Sequence, residues 1–385
     1  QLTAVRSMLQ YPPVHVLQGP PGTGKTLVLA ATAIATAHMN REVVIIANTH
    51  HAVNNALQKI RSLDNKASII KVGAELKAEE LDDSILKFEK FSKYYEYSYQ
   101  NRKKKKTGHI IGMTIWGAVT YLGLRHHAHF RPYIALVDEA SLMPLSLATI
   151  LGKTAPSVCL SGDSRQMPPI FRPELENNEF SVSILDYCAE KIEGVPVSVL
   201  QTTYRMNEEI TEFVSENFYE PHGIQLISSD YSKDRHFSYD MSECEDERIA
   251  YILGSDGSVF MYDVSRDLHC QEYNFEEALF AAQIASVAMD KGMKTSDIAI
   301  ITPFRKQVNY IRSAFRTLGW EPEETPLVDT VERLQGQDVE MIIISMSVTD
   351  TEYYQSIRGF LLNPNRLNVM ISRAKQKVVF LKPKA

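Results

Sequence analysis

The chain has 385 residues, 44% hydrophobic and 23% charged, the composition of an ordinary globular protein long enough for two domains with separate cores. Its net charge of −6 excludes a global attraction for nucleic acid, so any such binding needs a local groove. The absence of a bilayer-length apolar run or a signal-peptide layout predicts a cytoplasmic or nuclear protein without membrane contact. Cys159, Cys188, Cys244 and Cys270 contain no C-x-x-C pair and read as reduced thiols, with no structural metal. The chain begins with Gln1 rather than Met, so additional domains of a longer parent chain are expected, with a monomer as the expected state.

In chain order, the apolar run Val14 to Leu17 leads into Gly19-Pro20-Pro21-Gly22-Thr23-Gly24-Lys25-Thr26, after which the periodicity becomes helical. Glycines let successive backbone N–H groups converge on an anion at a helix N-terminus, so this stretch reads as a phosphate cradle. Gly22, Thr23 and Gly24 would line it, Lys25 would reach the β and γ phosphates, and the Thr26 hydroxyl would help hold Mg²⁺. Strands follow at Val43 to Ala47 and Ser68 to Val72, with a helix from about His51 between them. Residues 74–108 turn polar, carry Arg102-Lys103-Lys104-Lys105-Lys106, and read as a helical insertion with a mobile tip. The basic run is a solvated loop or a source of salt-sensitive affinity for a strand.

Strand patterns resume at His109 to Met113, Tyr133 to Val137 and Ser157 to Leu160. Five or more parallel strands covered by helices predict an α/β, RecA-like domain over 1–196. Val137-Asp138-Glu139-Ala140 ends one strand, where such sheets place ligand-binding residues. Asp138 can coordinate Mg²⁺ through water and Glu139 can activate the attacking water; a helix N-cap is the alternative for the same residues. In Ser161-Gly162-Asp163-Ser164-Arg165-Gln166-Met167-Pro168-Pro169, Gln166 is placed to sense the γ phosphate, and a plain turn is the alternative.

The second half repeats this grammar over 197–385, with strands at Val259 to Tyr262, Asp297 to Thr302, Pro326 to Thr330, Met341 to Met346 and Lys377 to Leu381 and a helix from Asn274 to Met289. It has no second phosphate loop, which predicts a second RecA-like domain and ATP in the cleft between the two. Ser228 to Glu247 is acidic, aromatic and rich in turn-formers, and reads as a surface excursion.

Gln1-Leu2-Thr3-Ala4-Val5, GPPGTGKT, VDEA, GDSRQMPP, Thr203-Tyr204-Arg205-Met206-Asn207, the run from Val328 to Gln337 and the run from Arg366 to Lys375 occur in the order seen in superfamily 1 helicases. The chain resembles their 1B branch, which includes the nonsense-mediated-decay helicase, the immunoglobulin-switch-region helicase and the helicase half of the Okazaki-fragment processing nuclease. The resemblance implies an ATP-dependent helicase or translocase on single-stranded DNA or RNA, moving 5′ to 3′. It implies that Gln1 reads the adenine edge, Tyr204 stacks on the base, and Gln335 and Gly336 belong to the nucleotide-contacting set. Arg205 and Arg373 resemble the arginines presented to the γ phosphate, where a guanidinium pairs bidentately with phosphate oxygens. Read alone, Arg205 is equally a helix-start arginine and Arg373 a cation at a helix C-terminus.

Asn48, Thr49, Thr114, Thr302, Pro303 and Thr330 fall where the family holds the sugar-phosphate backbone, and such contacts carry little sequence specificity. Trp116, in the same motif as Thr114, belongs to this track or to the core on equal terms. Asp338 stands where the family more often has Glu, and Asn54 where Asp is common. The family's β-barrel accessory domain precedes the first motif and is not in this stretch, so an ATP-gated clamp or remodeller with little unwinding is the alternative function. A P-loop kinase of a small molecule is a third reading, opposed by the second half and its arginines.

Overall fold

The computed structural model describes residues 1–73, 81–101, 108–123, 132–171, 180–264, 269–331 and 338–382. The basic run at 102–106, Gln335 and Gly336 therefore lie outside the described residues. The chain divides into two compact units, Gln1–Leu200 and Gln201–Ala385.

The first unit is built on strands β1 (Val14–Gln18), β2 (Val43–Ala47), β3 (Ile69–Val72), β4 (Leu86–Phe88), β5 (Ile110–Thr114), β6 (Ile134–Val137), β7 (Ser157–Gly162) and β8 (Val197–Val199). They form one sheet in the order β4-β3-β5-β2-β6-β7-β1-β8, every pair parallel. Strand alternation explains why the central strands are apolar throughout. Val43, Ile45 and Ala47 feed one core with the helices Lys25–His38 and His50–Leu63, while Val44 and Ile46 feed another with the helices Ile115–Gly123, Ala148–Thr154 and Ile184–Glu190. Because all the strands are parallel, every loop that follows one emerges at the same edge.

Two expectations shift here. Val197–Val199 pairs with β1, so the first unit runs to Leu200 rather than ending at 196. The polar insertion is not only helical: its Leu86–Phe88 segment adds a parallel strand beside β3 before the helix Phe91–Asn101.

The second unit carries a short parallel pair, β9 (Thr202–Thr203) and β10 (Ile227–Ser228), and a five-stranded sheet. The larger sheet comprises β11 (Val259–Asp263), β12 (Ile298–Thr302), β13 (Leu327–Thr330), β14 (Val339–Ser345) and β15 (Ala374–Lys382) in the order β11-β15-β14-β12-β13. All of its pairs are parallel. One face packs on the helices Glu247–Gly254, Phe275–Asp290 and Arg305–Thr317. The expected surface excursion is partly inside: Met241 is buried, and Phe237 and Tyr239 pack against this core. An acidic stretch carrying aromatics can solvate its charges and still anchor by its rings. No helix among the described residues is long and apolar enough to cross a membrane.

Candidate functional site

At the C-terminal edge of the first sheet the loops after β1, β6 and β7 meet, because β7 lies between β6 and β1. Gly22 and Gly24 of the cradle adopt positive φ, 72° and 86°, conformations that favour glycine. A Cβ on Gly24 would strike the Gln1 side chain, and one on Gly19 would strike Lys25. The cradle is thus closed to side chains and lined by backbone, as a phosphate requires.

Lys25 donates to the carbonyls of Gly19 and Pro20, an intraloop arrangement that holds its charge at the mouth of the cradle. The Thr23 hydroxyl donates to the Pro20 carbonyl at 2.7 Å, and the Gln1 amide donates to the Thr23 carbonyl at 2.8 Å. Gln1 is therefore tied to the cradle itself.

The Thr26 hydroxyl donates to Asp138 at 3.4 Å. Asp138 is buried at the end of β6, its backbone N–H donating to the Ile46 carbonyl at 2.8 Å. Burial first, and then the neighbouring Glu139 charge, push its carboxyl well above the ordinary carboxylate range, against the opposing pull of Lys25. A buried carboxylate with an alcohol oxygen beside it is a hard-oxygen pair that a divalent cation would satisfy, so the residues fit Mg²⁺. Glu139 has φ 55°, uncommon for a non-glycine residue, and backbone strain of this kind clusters at functional sites. Its N–H donates to Asp138 at 3.0 Å.

Gln166 lies in the turn after β7, where its N–H donates to the Asp163 carbonyl at 3.1 Å. Gln18 and Asp163, which the sequence motifs give no role, join this turn to the cradle. The Gln18 amide donates to Asp163 at 2.9 Å and accepts from Ser164 N–H at 3.2 Å, and both side chains are buried. The available signal was a polar residue ending an apolar strand directly before Gly19.

Asn48 and Thr49, directly after β2, share this edge with Thr114, the last residue of β5, because Ala47 pairs with Thr114. The Asn48 amide donates to the Leu142 carbonyl at 3.2 Å, in the loop following Glu139. Thr49 caps the helix His50–Leu63 by accepting from Ala52 N–H at 3.2 Å, and Thr114 accepts from Gly117 N–H at 3.2 Å. Trp116 is surface, not core.

In the second unit Tyr204 is exposed and Arg205 is tightly held. Arg205 donates to the Ser372 carbonyl at 2.8 Å and pairs with Asp338 at 2.7 Å, while Arg373 approaches the same carboxylate at 3.7 Å. Burial, with the Arg373 charge adding to it, pulls the Arg205 guanidinium down to about 10, although Asp338 resists. Two guanidiniums thus share one carboxylate, and the Nε atoms of both are buried without a hydrogen-bond partner among the described residues. Two guanidiniums against one carboxylate leave the cluster with positive charge to spare.

Thr302 and Thr330 pair across β12 and β13 at the opposite, C-terminal edge of that sheet, with Pro303 following. Thr302 is buried and its hydroxyl accepts from Phe304 N–H at 3.5 Å; Thr330 is buried as well. Exposed at this edge, among other described residues, are Arg305, which pairs with Asp329 at 3.2 Å, and Lys306, which pairs with Glu272 at 2.6 Å.

A family profile described as an AAA domain matches residues 180–383, and another of the same description matches residues 1–178. The chain is 26% identical over 98% of its length to the Schizosaccharomyces pombe DNA replication ATP-dependent helicase/nuclease dna2, spanning 27% of that protein. It is 24% identical over 98% of its length to the DNA polymerase alpha-associated DNA helicase A of the same yeast, spanning 62% of it. It is 25% identical over 99% of its length to the same yeast's ATP-dependent helicase upf1, spanning 44% of it. Among solved structures, the Arterivirus nonstructural protein 10 helicase matches with a TM-score of 0.50 at 12% identity, over 99% of this chain and 61% of that one. That likeness speaks to the fold, two RecA-like units, alone.

Proposed function

We propose, from the premise that the chain belongs to the AAA-domain family and resembles the 1B branch of the superfamily 1 helicases, an ATP-driven translocase or helicase on single-stranded DNA or RNA, moving 5′ to 3′. One observation carries the reading: Thr26 meets Asp138 at 3.4 Å directly beside a glycine-lined cradle that holds the Lys25 charge. Relatives whose names call them ATP-dependent helicases support it.

Thr26 and Asp138 would hold Mg²⁺, which when bound supplies positive charge to the β and γ phosphate oxygens. Lys25 exchanges the Gly19 and Pro20 carbonyls for those phosphates, while Gln1 and Tyr204 hold the adenine by its edge and its face. Glu139 orients the attacking water and accepts its proton. Gln166 follows the presence of the γ phosphate, and Gln18 with Asp163 couples its turn to the cradle. Arg205 and Arg373 neutralise charge developing on the transferred phosphoryl group, an effect worth on the order of 10³–10⁵ in rate for arginine fingers. Asn48, Thr49 and Thr114 in the first unit and Thr302, Pro303 and Thr330 in the second contact the strand backbone, with Gln335 and Gly336 on the nucleotide.

Steady-state ATP hydrolysis, alone and with single-stranded DNA or RNA at fixed salt, tests the proposal. Strong stimulation by either polymer is expected. Hydrolysis indifferent to both would overturn it, and a parallel duplex-unwinding assay separates a helicase from an ATP-gated clamp.

A further inference from the structure

In the helix Ile115–Gly123, Ile115 and Ala118 are buried in the core beneath, while Trp116 is 66% exposed. A tryptophan carries one of the largest apolar payloads available to a core. Leaving it in water forfeits that contribution, so packing does not explain its presence. Its backbone is well fixed, because the Thr114 hydroxyl accepts from Gly117 N–H at 3.2 Å and closes the turn that launches the helix.

The position is specific. Ala47 pairs with Thr114 in parallel register, so Asn48-Thr49 and Ile115-Trp116 leave adjacent strands at one edge. The helices His50–Leu63 and Ile115–Gly123 both begin there, and neither has an acidic residue in its first turn. Their dipoles, and the first-turn N–H groups other than those of Ala52 and Gly117, which donate to the Thr49 and Thr114 hydroxyls, favour an anion at the edge where Trp116 is exposed. A nucleotide brings these two features together, a flat aromatic base and, one sugar away, a phosphate. A protein or lipid surface has no comparable reason to match both.

We infer that Trp116 is a stacking platform for an unpaired nucleobase, seated beside the phosphate contacts of Thr49 and Thr114. The inference rests on the nucleic-acid reading of this edge given above. Stacking is tolerant of base identity because every base has a π-face, so the platform adds affinity without sequence preference.

The test uses the whole chain, fluorescein-labelled oligo-deoxythymidine and oligo-uridine, and an abasic deoxyribose-phosphate polymer of the same length. The chain has two tryptophans, and Trp320 packs partly buried against the second unit's core, so a Trp320→Phe background makes emission report Trp116. Binding of either oligonucleotide should quench that emission. Trp116→Ala should weaken binding roughly 5- to 150-fold, Trp116→Phe should restore most of it, and the abasic polymer should bind Trp116→Ala and the parent equally. Parental binding without quenching, together with undiminished binding by Trp116→Ala, would overturn the platform and leave the nucleic-acid reading standing. If the parent bound neither oligonucleotide, the reading itself would fall, and the platform with it. The DNA and RNA arms show which strand the platform accepts.

Discussion

Asp338 stands 2.7 Å from Arg205 and also 3.7 Å from Arg373, so one partly exposed carboxylate holds two guanidiniums that would otherwise repel. Removing one partner of such a cluster leaves charge uncompensated in a largely buried place. Asp338→Asn should destabilise the second unit by about 1–3 kcal/mol, a figure reduced for the exposure of the carboxylate. Asp338→Glu, the residue more common in the family, should recover most of the loss. Urea unfolding checks this, and an Asp338→Asn chain as stable as the parent would mean that the arginines hold their places without it.

Glu139 and Arg373 separate chemistry from binding. Glu139→Gln should keep nucleotide affinity while hydrolysis falls by about 10²-fold or more. Arg373→Ala should lower kcat far more than it weakens nucleotide binding. Single-turnover hydrolysis beside equilibrium binding of a fluorescent ATP analogue measures both, and near-normal turnover by Glu139→Gln would remove it from the catalytic role.

The buried link from Gln18 to Asp163, 2.9 Å long, predicts that the turn bearing Gln166 depends on the cradle. Gln18→Ala removes one of two donors to Asp163 Oδ1, which keeps Arg165 N–H at 3.0 Å, and takes away the acceptor of Ser164 N–H, so it should cost about 1–2 kcal/mol of stability. It should also lower kcat with little change in KM, because it acts on a sensor rather than on the cradle backbone. A rise in KM at unchanged kcat would instead make Gln18 part of nucleotide binding.

Glu277 supplies a pH test in the second unit. Its Oε1 accepts from the Ser345 hydroxyl at 2.8 Å and Ser347 N–H at 2.9 Å, while Oε2 has no hydrogen-bond partner among the described residues. Burial pushes this carboxyl from 4.5 up to about 7. The folded state then holds the proton more tightly than the unfolded one, so this contribution is complete below pH 4.5 and is lost as pH rises through about 7. Glu277→Gln keeps the accepting oxygen and removes the charge. It should flatten that part of the stability profile and stabilise the chain at pH 8 by on the order of 1–3 kcal/mol. An unchanged profile would show that another group titrates in this window.

Much of this was legible along the chain. The apolar runs at Val43 to Ala47 and Asp297 to Thr302 announce buried parallel strands because both of their faces are buried, and the observed strands Val43–Ala47 and Ile298–Thr302 match them closely. Gly19 to Thr26 and Val137 to Ala140 could be proposed as a phosphate cradle and a cation pair from the sequence because such binding needs particular residues at short spacing, which a sequence displays directly. Tertiary structure alone decided what depends on distant partners. Met241 proved to be core inside an acidic stretch, and Trp116 proved to be surface inside an apolar one. The Gln18–Asp163 link and the Arg205–Asp338–Arg373 cluster join residues far apart in the chain, brought together by parallel strand order and by burial. Local composition records a side chain's chemistry, but burial and partnership are set by which strands lie side by side.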